Sequence, residues 1–279
     1  MTAPASLSIA LIGGGNMARA LLGGWLGQGL QATAITVAEP AEATRAALAR
    51  DFGVATTADN AAAVTTAGVV VLAVKPQIMA AVARALAADL RATRPLVISV
   101  AAGIRAADLS RWLGPGVPVV RAMPNRPALV GLGATGVFAG AEVSAAGREL
   151  AGRLLATSGL VAWVPRESDL DLVTALSGSG PAYFFQFAQL MAESGAAMGL
   201  DPVVARQLAA QTLAGAGRLV AAEQAPDLAR MSAEVASKGG TTEAALNRFA
   251  ALELERVVAA AMQAAAQRSR ELAEQFGNG

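Results

Sequence analysis

The segment IALIGGGNMARALL, residues 9–22, joins an apolar run to a helical pattern through three consecutive glycines, a connection that serves either a dinucleotide or plain packing of strand and helix. Gly13, Gly15 and Ala18 have the spacing G-x-G-x-x-A. The first glycine permits a tight turn, the second lets the backbone approach a pyrophosphate, and the small third residue lets the helix pack close to the strand. The helix start offers free N–H groups to the phosphates. The segment therefore predicts a dinucleotide-binding turn formed by Gly13, Gly14, Gly15, Asn16, Met17 and Ala18.

An acidic residue at the end of the next apolar run, AITVA (34–38), supports the same interpretation. Glu39 lies 21 residues after Ala18, where an acidic residue reaches the adenosine ribose in dinucleotide-binding units. A carboxylate there accepts hydrogen bonds from a ribose 2′-OH and repels a 2′-phosphate, which slightly favours NADH over NADPH as the cofactor. In the alternative interpretation, Glu39 points to solvent while Arg45 or Asn60 binds a phosphate.

The order of strand-like and helical patterns predicts an α/β fold with two domains. Short apolar runs alternate with helical segments up to residue 165, which indicates a parallel sheet covered on both faces. After Pro165 the strand-like runs disappear and helical patterns take over. We therefore expect a Rossmann-type dinucleotide-binding domain over residues 1–165 and an all-helical domain over 166–279. The expected strands are 7–12, 34–38, 68–74, 95–100, 117–123, 134–140 and 159–164.

The helical half has more apolar surface than a small domain can bury. Its predicted helices, 181–199, 201–223 and 242–275, are apolar around much of their circumference. Asp201 followed by Pro202 is typical of a helix start, with a capping side chain and then proline at the first position. A monomeric domain of roughly 110 residues would leave these faces exposed to water. The pattern predicts dimerisation through this half, as the basis of a homo-oligomer.

Cysteine and histidine are both absent from the 279 residues, and this excludes several kinds of chemistry. Disulfides, thiolate nucleophiles, thiolate metal sites and imidazole catalysis cannot be built, and we expect no metal site. The net charge of +1 offers no electrostatic footprint for nucleic acid or an anionic membrane. No secretory signal or membrane-length apolar run is visible, so a soluble, cytoplasmic protein is expected. An enzyme of this composition must rely on a cofactor, hydroxyls, carboxylates and backbone dipoles.

Two further glycine-rich segments precede helical patterns in the second half. LSGSGPAY (176–183) places proline in the first turn of a helix. ASKGGTTEAAL (236–246) places hydroxyl groups at a helix start, where free N–H groups can bind a carboxylate. Taken alone, the first segment is better explained as ordinary helix initiation, and the second is explained equally well by helix initiation and by binding.

In combination, six motifs resemble the pyrroline-5-carboxylate reductase family in order and spacing, over nearly the whole chain. They are IGGGNMA (12–18), LAVKPQ (72–77), SVAAGI (99–104), RAMPN (121–125), VTALSGSGPAY (173–183) and SKGGTTEAAL (237–246). The resemblance implies a reductase that forms proline from the cyclic imine 1-pyrroline-5-carboxylate with NADPH or NADH. It also implies a Rossmann domain followed by helices that interleave with those of a partner subunit, with dimers assembling further.

The resemblance also assigns roles to residues. The glycine turn would hold the pyrophosphate, and Glu39 and Asn60 would lie by the adenosine ribose. The ribose and nicotinamide would be lined by Ala73, Val74, Lys75, Pro76, Val100, Ala101, Ala102, Met123, Pro124 and Asn125. The substrate would be bound by Glu167 and by the loop residues Ser237, Gly239, Gly240, Thr241 and Thr242.

Thr242 is the candidate catalytic residue, by analogy with the family and by its place at a helix start. An imine nitrogen can be protonated near neutral pH, so a hydroxyl that orients the iminium N–H can replace a histidine acid. Amides around Gly240 and Thr241 would hold the substrate carboxylate. A carbonyl reductase normally needs a tyrosine–lysine pair or a histidine, yet the one tyrosine, Tyr183, has no lysine nearby in sequence. The residues therefore favour an imine over a ketone substrate.

Two positions depart from the family pattern, and two other functions remain as alternatives. Lys238 stands where the last motif usually has proline, and it either attracts a carboxylate or points to solvent. Arg126 stands where M-x-N-T-P has threonine, and it could pair with Glu167, Asp169 or Asp171.

A β-hydroxyacid dehydrogenase of the same architecture would need a catalytic lysine on the second-domain helices. A non-catalytic dinucleotide sensor would lack the polar loop at the helix start.

Overall fold

A computed structural model describes residues 7–277, and the chain divides into two compact units. The sheet unit contains the chain up to Ser179 and again from Ala265 onward, and the helical unit is Gly180–Ala264. No helix among residues 7–277 is long and apolar enough to cross a membrane.

The sheet unit is built on eight strands, joined mostly by helices. The strand order is β3-β2-β1-β4-β5-β6-β7-β8, and all neighbours are parallel except β6 and β7. The strands are β1 (Ile9–Ile12), β2 (Ile35–Ala38), β3 (Ala55–Thr57), β4 (Val69–Leu72), β5 (Leu96–Ser99), β6 (Val119–Met123), β7 (Gly133–Ala139) and β8 (Gly159–Trp163). The helices before Gly180 are α1 (Asn16–Gly27), α2 (Glu42–Phe52), α3 (Asn60–Val64), α4 (Pro76–Thr93), α5 (Ala106–Leu113), α6 (Ala145–Ala156) and α7 (Asp169–Val173).

The inner strands of the sheet are buried on both faces, as their apolar sequences predict. Side chains alternate across a strand, so Ile9 and Leu11 of β1 join one buried cluster while Ala10 and Ile12 join another. Helices α1 and α6 cover the first face, where the Trp25 indole N–H donates to the Leu154 carbonyl at 2.9 Å. Helices α4 and α5 cover the second face.

The helical unit contains α8 (Gly180–Ala197), α9 (Pro202–Ala222), α10 (Leu228–Val235), α11 (Thr241–Ala251) and the first part of α12 (Leu254–Gly277). Asp201 caps α9 as predicted, because its carboxylate accepts from the N–H groups of Val203 and Val204. Within residues 180–264, every buried residue is a glycine or an alanine. They are Gly180, Ala192, Gly195, Ala205 and Ala209. The large apolar side chains of this unit are therefore left exposed in the single chain.

Three elements differ from the sequence prediction. Strand β3 was not expected, and its three residues, Ala55–Thr57, are too few to give a pattern. Strand β7 runs antiparallel to β6 because only a 3₁₀ turn, Arg126–Val130, joins them, and a parallel return needs a crossover of about a dozen residues or more. The single helix expected over 242–275 is two helices, interrupted at Glu253, whose φ of +56° is left-handed.

The boundary between the compact units also differs in place from the domain division expected near Pro165. Helix α7 packs on β7, where a Cβ on Gly136 would lie 2.6 Å from Val173 Cγ1. The last part of α12 belongs to the sheet unit too, since Ser269 donates to the Asp171 carboxylate at 2.6 Å. The compact units thus meet in sequence after residues 179 and 264. A change from cofactor binding to substrate binding near Pro165 stays a prediction.

Candidate active site

The carboxyl ends of five neighbouring strands bring most of the predicted cofactor residues to one edge of the sheet. Strand β1 lies between β2 and β4, so the chain reverses its direction of travel across the sheet there. Open α/β sheets bind ligands at such a switch point. The turns after β1 and β4 are in close contact, because a Cβ on Gly13 would lie 2.8 Å from the Ala73 carbonyl oxygen. Gly13 also has a φ of +100°, so a larger residue is excluded by both space and backbone conformation.

The glycine turn leaves backbone donors facing open space. A Cβ built on Gly15, which precedes α1, would have no atom within 4 Å. Among residues 7–277 no acceptor is recorded for the N–H groups of Asn16, Met17 and Ala18, and the first helical bond runs from Arg19 to Gly15. Ala18 is buried against the core. The geometry fits a pyrophosphate, which needs a close backbone approach and several N–H donors.

Glu39 is bonded to the glycine turn and does not point away from it. Its carboxylate accepts from the Gly14 N–H at 2.9 Å and from the Ala41 N–H at 3.0 Å. Arg45 donates from Nη1 to the carbonyl oxygens of Glu39 and Pro40, at 2.8 and 2.7 Å. The Arg45 guanidinium, on α2, thus contacts the backbone of the loop that carries the Glu39 carboxylate. Asn60, at the first position of α3, has no recorded side-chain bond among the described residues.

Helix α1 is also tied to α2 by an ion pair near this loop. Arg19 donates to the carboxylate of Asp51. The hydrogen bond from Arg19 holds the pKa of Asp51 below its ordinary value, with Arg50 acting in the same direction. As pH falls, the Asp51 carboxylate therefore stays ionised after aspartates of ordinary pKa begin to protonate.

The predicted nicotinamide side consists of the turns after β4 and β5. Lys75 precedes α4 and is exposed, and Pro76 occupies the first helical position, where its missing N–H is harmless. The Val100 N–H donates to the Leu72 carbonyl at 3.1 Å, so the two turns lie side by side. Ala101 is buried, and both Ala73 and Ala102 are half-buried. The small residues leave room along the strand ends.

Met123, Pro124 and Asn125 end β6, where the third predicted group lies. The Asn125 side chain is buried, and both ends of its amide bond backbone groups, the Ser177 carbonyl and the Ala134 N–H. Ser177 lies in a short π-helix, Thr174–Gly178, which the sequence did not indicate. A Cβ on Gly178 would lie 2.7 Å from the Met123 methyl group. The motif LSGSGPAY thus begins against the end of β6.

Glu167 belongs to a partly buried ion pair that the sequence analysis missed. Its carboxylate oxygen accepts from Arg121 Nη1 at 2.6 Å and from the Ala106 N–H at 2.5 Å. The Arg121 side chain is only 10% exposed, and the charge within the apolar run VPVVRAM was the signal available for it. The carboxylate joins β6, α5 and the segment before α7. Its predicted contact with substrate stays a prediction.

The pairing suggested for Arg126 is wrong, because each of the three acids has a different partner. Glu167 is paired with Arg121, Asp169 with Arg166 at 2.8 Å, and Asp171 accepts from Ser269. Arg126 itself is exposed.

The predicted substrate loop forms a tight turn in the helical unit. The Gly240 N–H donates to the Ser237 carbonyl at 2.9 Å, and Gly239 has a φ of +73° that suits glycine. The Gly239 N–H donates to the Glu243 carboxylate at 2.7 Å. Of the two amides expected to hold the substrate carboxylate, that of Gly240 is therefore already bonded.

Helix α11 begins directly after this turn and leaves donors free. Gly240 is its capping residue and has no side chain to bond the first turn. Among the described residues no acceptor is recorded for the N–H groups of Thr241 and Thr242, nor any bond of the half-buried Thr242 hydroxyl. Lys238 is exposed beside them. A helix start with two free amides and one free hydroxyl can bind a small anion that carries a polar hydrogen.

The predicted site residues thus form two groups, one in each unit. Those of the glycine turn, Glu39 and the ends of β4, β5 and β6 share one edge of the sheet unit, together with Asn60 at the start of α3. Those from Ser237 to Thr242 belong to the helical unit. Within residues 7–277 no group of three acidic side chains is arranged to hold a metal ion.

Comparison with known proteins assigns the chain to a family. Residues 167–272 match the family model for pyrroline-5-carboxylate reductase dimerisation, and residues 8–103 match the model for coenzyme F420-dependent NADP oxidoreductases. A pyrroline-5-carboxylate reductase from Pseudomonas aeruginosa is 47% identical over 96% of this chain and 98% of its own length. One from Vibrio alginolyticus is 44% identical with the same coverage.

Solved structures have the same architecture. A pyrroline-5-carboxylate reductase from Coxiella burnetii superimposes with a TM-score of 0.91 at 37% identity, covering 96% of this chain and 98% of the other. The Plasmodium falciparum enzyme, solved with NADP bound, gives a TM-score of 0.80 over the same shares, and at 24% identity it shows the fold alone. From the identity over nearly full length and the dimerisation model, the chain belongs to the pyrroline-5-carboxylate reductase family.

Proposed function

We propose that the chain reduces 1-pyrroline-5-carboxylate to L-proline with a reduced nicotinamide dinucleotide. The observation that carries the proposal is the start of α11, where the Thr242 hydroxyl and the amides of Thr241 and Thr242 have no recorded partners among the described residues. Relatives at 44–47% identity carry this enzyme's name. The reaction adds a hydride to the imine carbon, and the ring nitrogen, protonated before or during transfer, becomes the amine.

The residues of the sheet unit have the task of holding the cofactor. The open backbone at Gly15 and the first amides of α1 bind the pyrophosphate, and the ends of β4, β5 and β6 orient the ring. The nicotinamide supplies the hydride, so no protein nucleophile is required. A sequence without histidine and cysteine is compatible with a reaction in which the cofactor supplies the hydride and the protein positions the reactants.

The residues of the helical unit have the task of holding the imine. The amides of Thr241 and Thr242 bind the substrate carboxylate, because the start of a helix favours a negative charge. The Thr242 hydroxyl accepts a hydrogen bond from the iminium N–H and so fixes the face that receives the hydride. Positioning of this kind supplies a large part of the acceleration in hydride transfer.

We further propose a preference for NADH over NADPH. The Glu39 carboxylate is held at the glycine turn by the Gly14 N–H, close to where an adenosine ribose would lie. A fixed negative charge there binds a ribose hydroxyl and repels a 2′-phosphate. Arg45 is the residue that could reverse the preference, because its guanidinium, on α2, donates to the Glu39 carbonyl.

The family model that matches residues 167–272 describes a dimerisation domain, and these residues include the helical unit. Assembly of dimers into larger oligomers and a cytoplasmic location stay predictions. We propose that the active enzyme is at least a dimer, since the large apolar side chains of α8 and α9 have no cover in the single chain.

The proposal is tested by following oxidation of NADH and NADPH with 1-pyrroline-5-carboxylate. A six-membered cyclic imine and a set of β-hydroxyacids serve as alternative substrates in the same assay. We expect turnover with the five-membered imine, the higher kcat/KM with NADH, and none with the hydroxyacids. Inactivity on the imine, or turnover of a hydroxyacid instead, would refute the assignment, and a clear NADPH preference would refute only the role of Glu39.

A further inference from the structure

Asn125 joins three segments at the end of β6. Its side-chain amide donates to the Ser177 carbonyl at 2.9 Å and accepts from the Ala134 N–H at 2.9 Å. Its main-chain carbonyl accepts from the Ala128 N–H at 3.1 Å. An asparagine before a helical turn usually bonds that turn with its side chain, but Asn125 makes no such bond. Both ends of the amide are instead engaged by backbone groups of other segments.

The Ser177 carbonyl needs a donor from outside its own helix. It lies in the π-helix Thr174–Gly178, in which the Ser179 N–H donates to the Thr174 carbonyl at 2.8 Å. In an ordinary helix the carbonyl of Ser177 would accept from the residue four positions later, but that residue is Pro181, which has no N–H. Asn125 supplies a donor in its place, and short π-helices are frequent at functional sites.

The π-helix is in close contact with the predicted nicotinamide side of the site. A Cβ on Gly178 would lie 2.7 Å from the methyl carbon of Met123, two residues before Asn125. The chain passes from the sheet unit into the helical unit directly after Ser179. Movement of the π-helix would therefore displace Met123 and the start of α8 together.

We propose that Asn125 is a positioning residue that fixes the π-helix Thr174–Gly178 against Met123 and does not itself contact the cofactor. The proposal rests on the reductase function argued above. Loss of the Asn125 bonds lets Met123 and the π-helix shift, which misaligns the ring that donates hydride while the glycine turn still binds the dinucleotide. Such a change lowers kcat and leaves cofactor affinity nearly unchanged.

Asn125→Asp provides a test that depends on pH. In this variant the ionised carboxylate accepts from the Ala134 N–H but has no proton for the Ser177 carbonyl, whereas the protonated acid restores both bonds. Burial and a facing carbonyl favour the protonated form, so the pKa of the introduced carboxyl group is raised. The groups that face this side chain are uncharged backbone atoms, Arg121 on the same strand is paired with Glu167, and Arg126 is exposed.

We expect kcat of Asn125→Asp to fall roughly tenfold or more at about pH 8.5 and to recover, relative to the unchanged protein, as pH falls to about 6. Asn125→Ala should show the loss without the recovery. Cofactor Kd, measured by fluorescence, should stay within about threefold in both variants. Gln31→Glu, which adds a carboxylate at an exposed position, should behave as the unchanged protein. Full activity of Asn125→Asp at every pH, absence of any recovery, or a Kd that rises with the loss of kcat would each overturn the proposal.

Two further measurements keep the test decisive if Asn125→Ala folds poorly. Gly178→Ala places a methyl group 2.7 Å from the end of the Met123 side chain without altering Asn125, so it moves the Met123 side chain and should lower kcat at constant cofactor Kd. An unimpaired Gly178→Ala would overturn the proposal. Compared with the unchanged protein at the same pH, hydrogen exchange of residues 174–180 should be faster in Asn125→Asp at high pH, and the difference should disappear at low pH. This last result is independent of turnover, so inactivity of the unchanged protein on the imine would refute the reductase function and leave the role of Asn125 testable.

Discussion

At the scale of single residues, Glu39 connects the local fold to the choice of cofactor. Its carboxylate accepts from the N–H of Gly14, the middle glycine of the turn, so the group that shapes the loop also places its charge at the predicted ribose position. A carboxylate free in solvent would have a weaker influence on a bound 2′-phosphate, because water screens exposed charges. The position of Glu39 is therefore a more specific argument for NADH than its presence in the sequence.

Replacing Glu39 with glutamine should shift the cofactor preference. The amide oxygen in Glu39→Gln can still accept from the Gly14 N–H, but the neutral side chain no longer repels a 2′-phosphate, and Arg45 stands nearby to attract one. We expect the ratio of kcat/KM for NADPH to that for NADH to rise about tenfold, which corresponds to about 1.4 kcal/mol. Glu42→Gln removes an acid from the first turn of α2 and is the matched control, with an unchanged ratio expected. An equal ratio in both variants would contradict the role assigned to Glu39.

Thr242→Ala should reduce imine reduction without reducing cofactor binding. The hydroxyl has no recorded partner in the described chain, so its loss removes a bond to substrate only. We expect kcat/KM for the imine to fall, by an amount that corresponds to a loss of roughly 1–3 kcal/mol of transition-state stabilisation. Thr242→Ser should retain most of the activity. Steady-state kinetics with the imine varied at saturating cofactor measure the change. Normal turnover of Thr242→Ala would show that another group orients the nitrogen.

At the scale of elements, the sequence predicts what depends on local pattern. Except at the edge strand β8, the apolar runs became largely buried strands. The G-x-G-x-x-A spacing became a strand–turn–helix unit, and Asp201 followed by Pro202 became a helix start. The interruption at Glu253 could not be predicted, because glutamate carries no preference for the left-handed backbone that it adopts. The partners of Asn125 and Glu167 were likewise invisible, since each bond joins residues whose proximity only the folded chain creates.

Asp201 offers a direct measurement of one element's stability. Its carboxylate satisfies two amides at the start of α9 and is exposed, so its removal changes little else. Asp201→Ala should lower the free energy of unfolding by about 1 kcal/mol, whereas Asp201→Asn, which keeps an acceptor, should lower it by only a few tenths. Urea unfolding at a fixed protein concentration measures both. Equal losses in the two variants would mean that charge at the helix start, not the capping bond, is the stabilising feature.

At the scale of the whole molecule, the two units differ in what they bury. The sheet unit encloses tryptophan, leucine, isoleucine and valine side chains, while the helical unit encloses glycine and alanine only. Phe184 and Phe185 are 63% and 59% exposed on α8, and Leu208 is 56% exposed on α9. Side chains of this size contribute about 1.5–3 kcal/mol each when buried, so we expect the helices to gain stability by packing against a second chain.

Phe184→Glu should therefore weaken the dimer. A carboxylate placed in an apolar contact between chains loses its hydration without gaining a partner, which is unfavourable by several kcal/mol. Light scattering after gel filtration at micromolar concentration should detect monomer. Leu160→Glu alters an equally exposed apolar residue on β8 of the sheet unit and should remain dimeric. A dimer of unchanged affinity in Phe184→Glu would place the contact on another face of the helical unit.

The small buried residues of the helical unit also make its folding a matter of mass action. Because no side chain larger than alanine is buried in this unit, we expect its folded fraction to depend on dimer formation. Dilution should therefore lower the folded fraction of the unit. Its melting temperature should climb with each tenfold rise in protein concentration, while that of the sheet unit stays nearly constant.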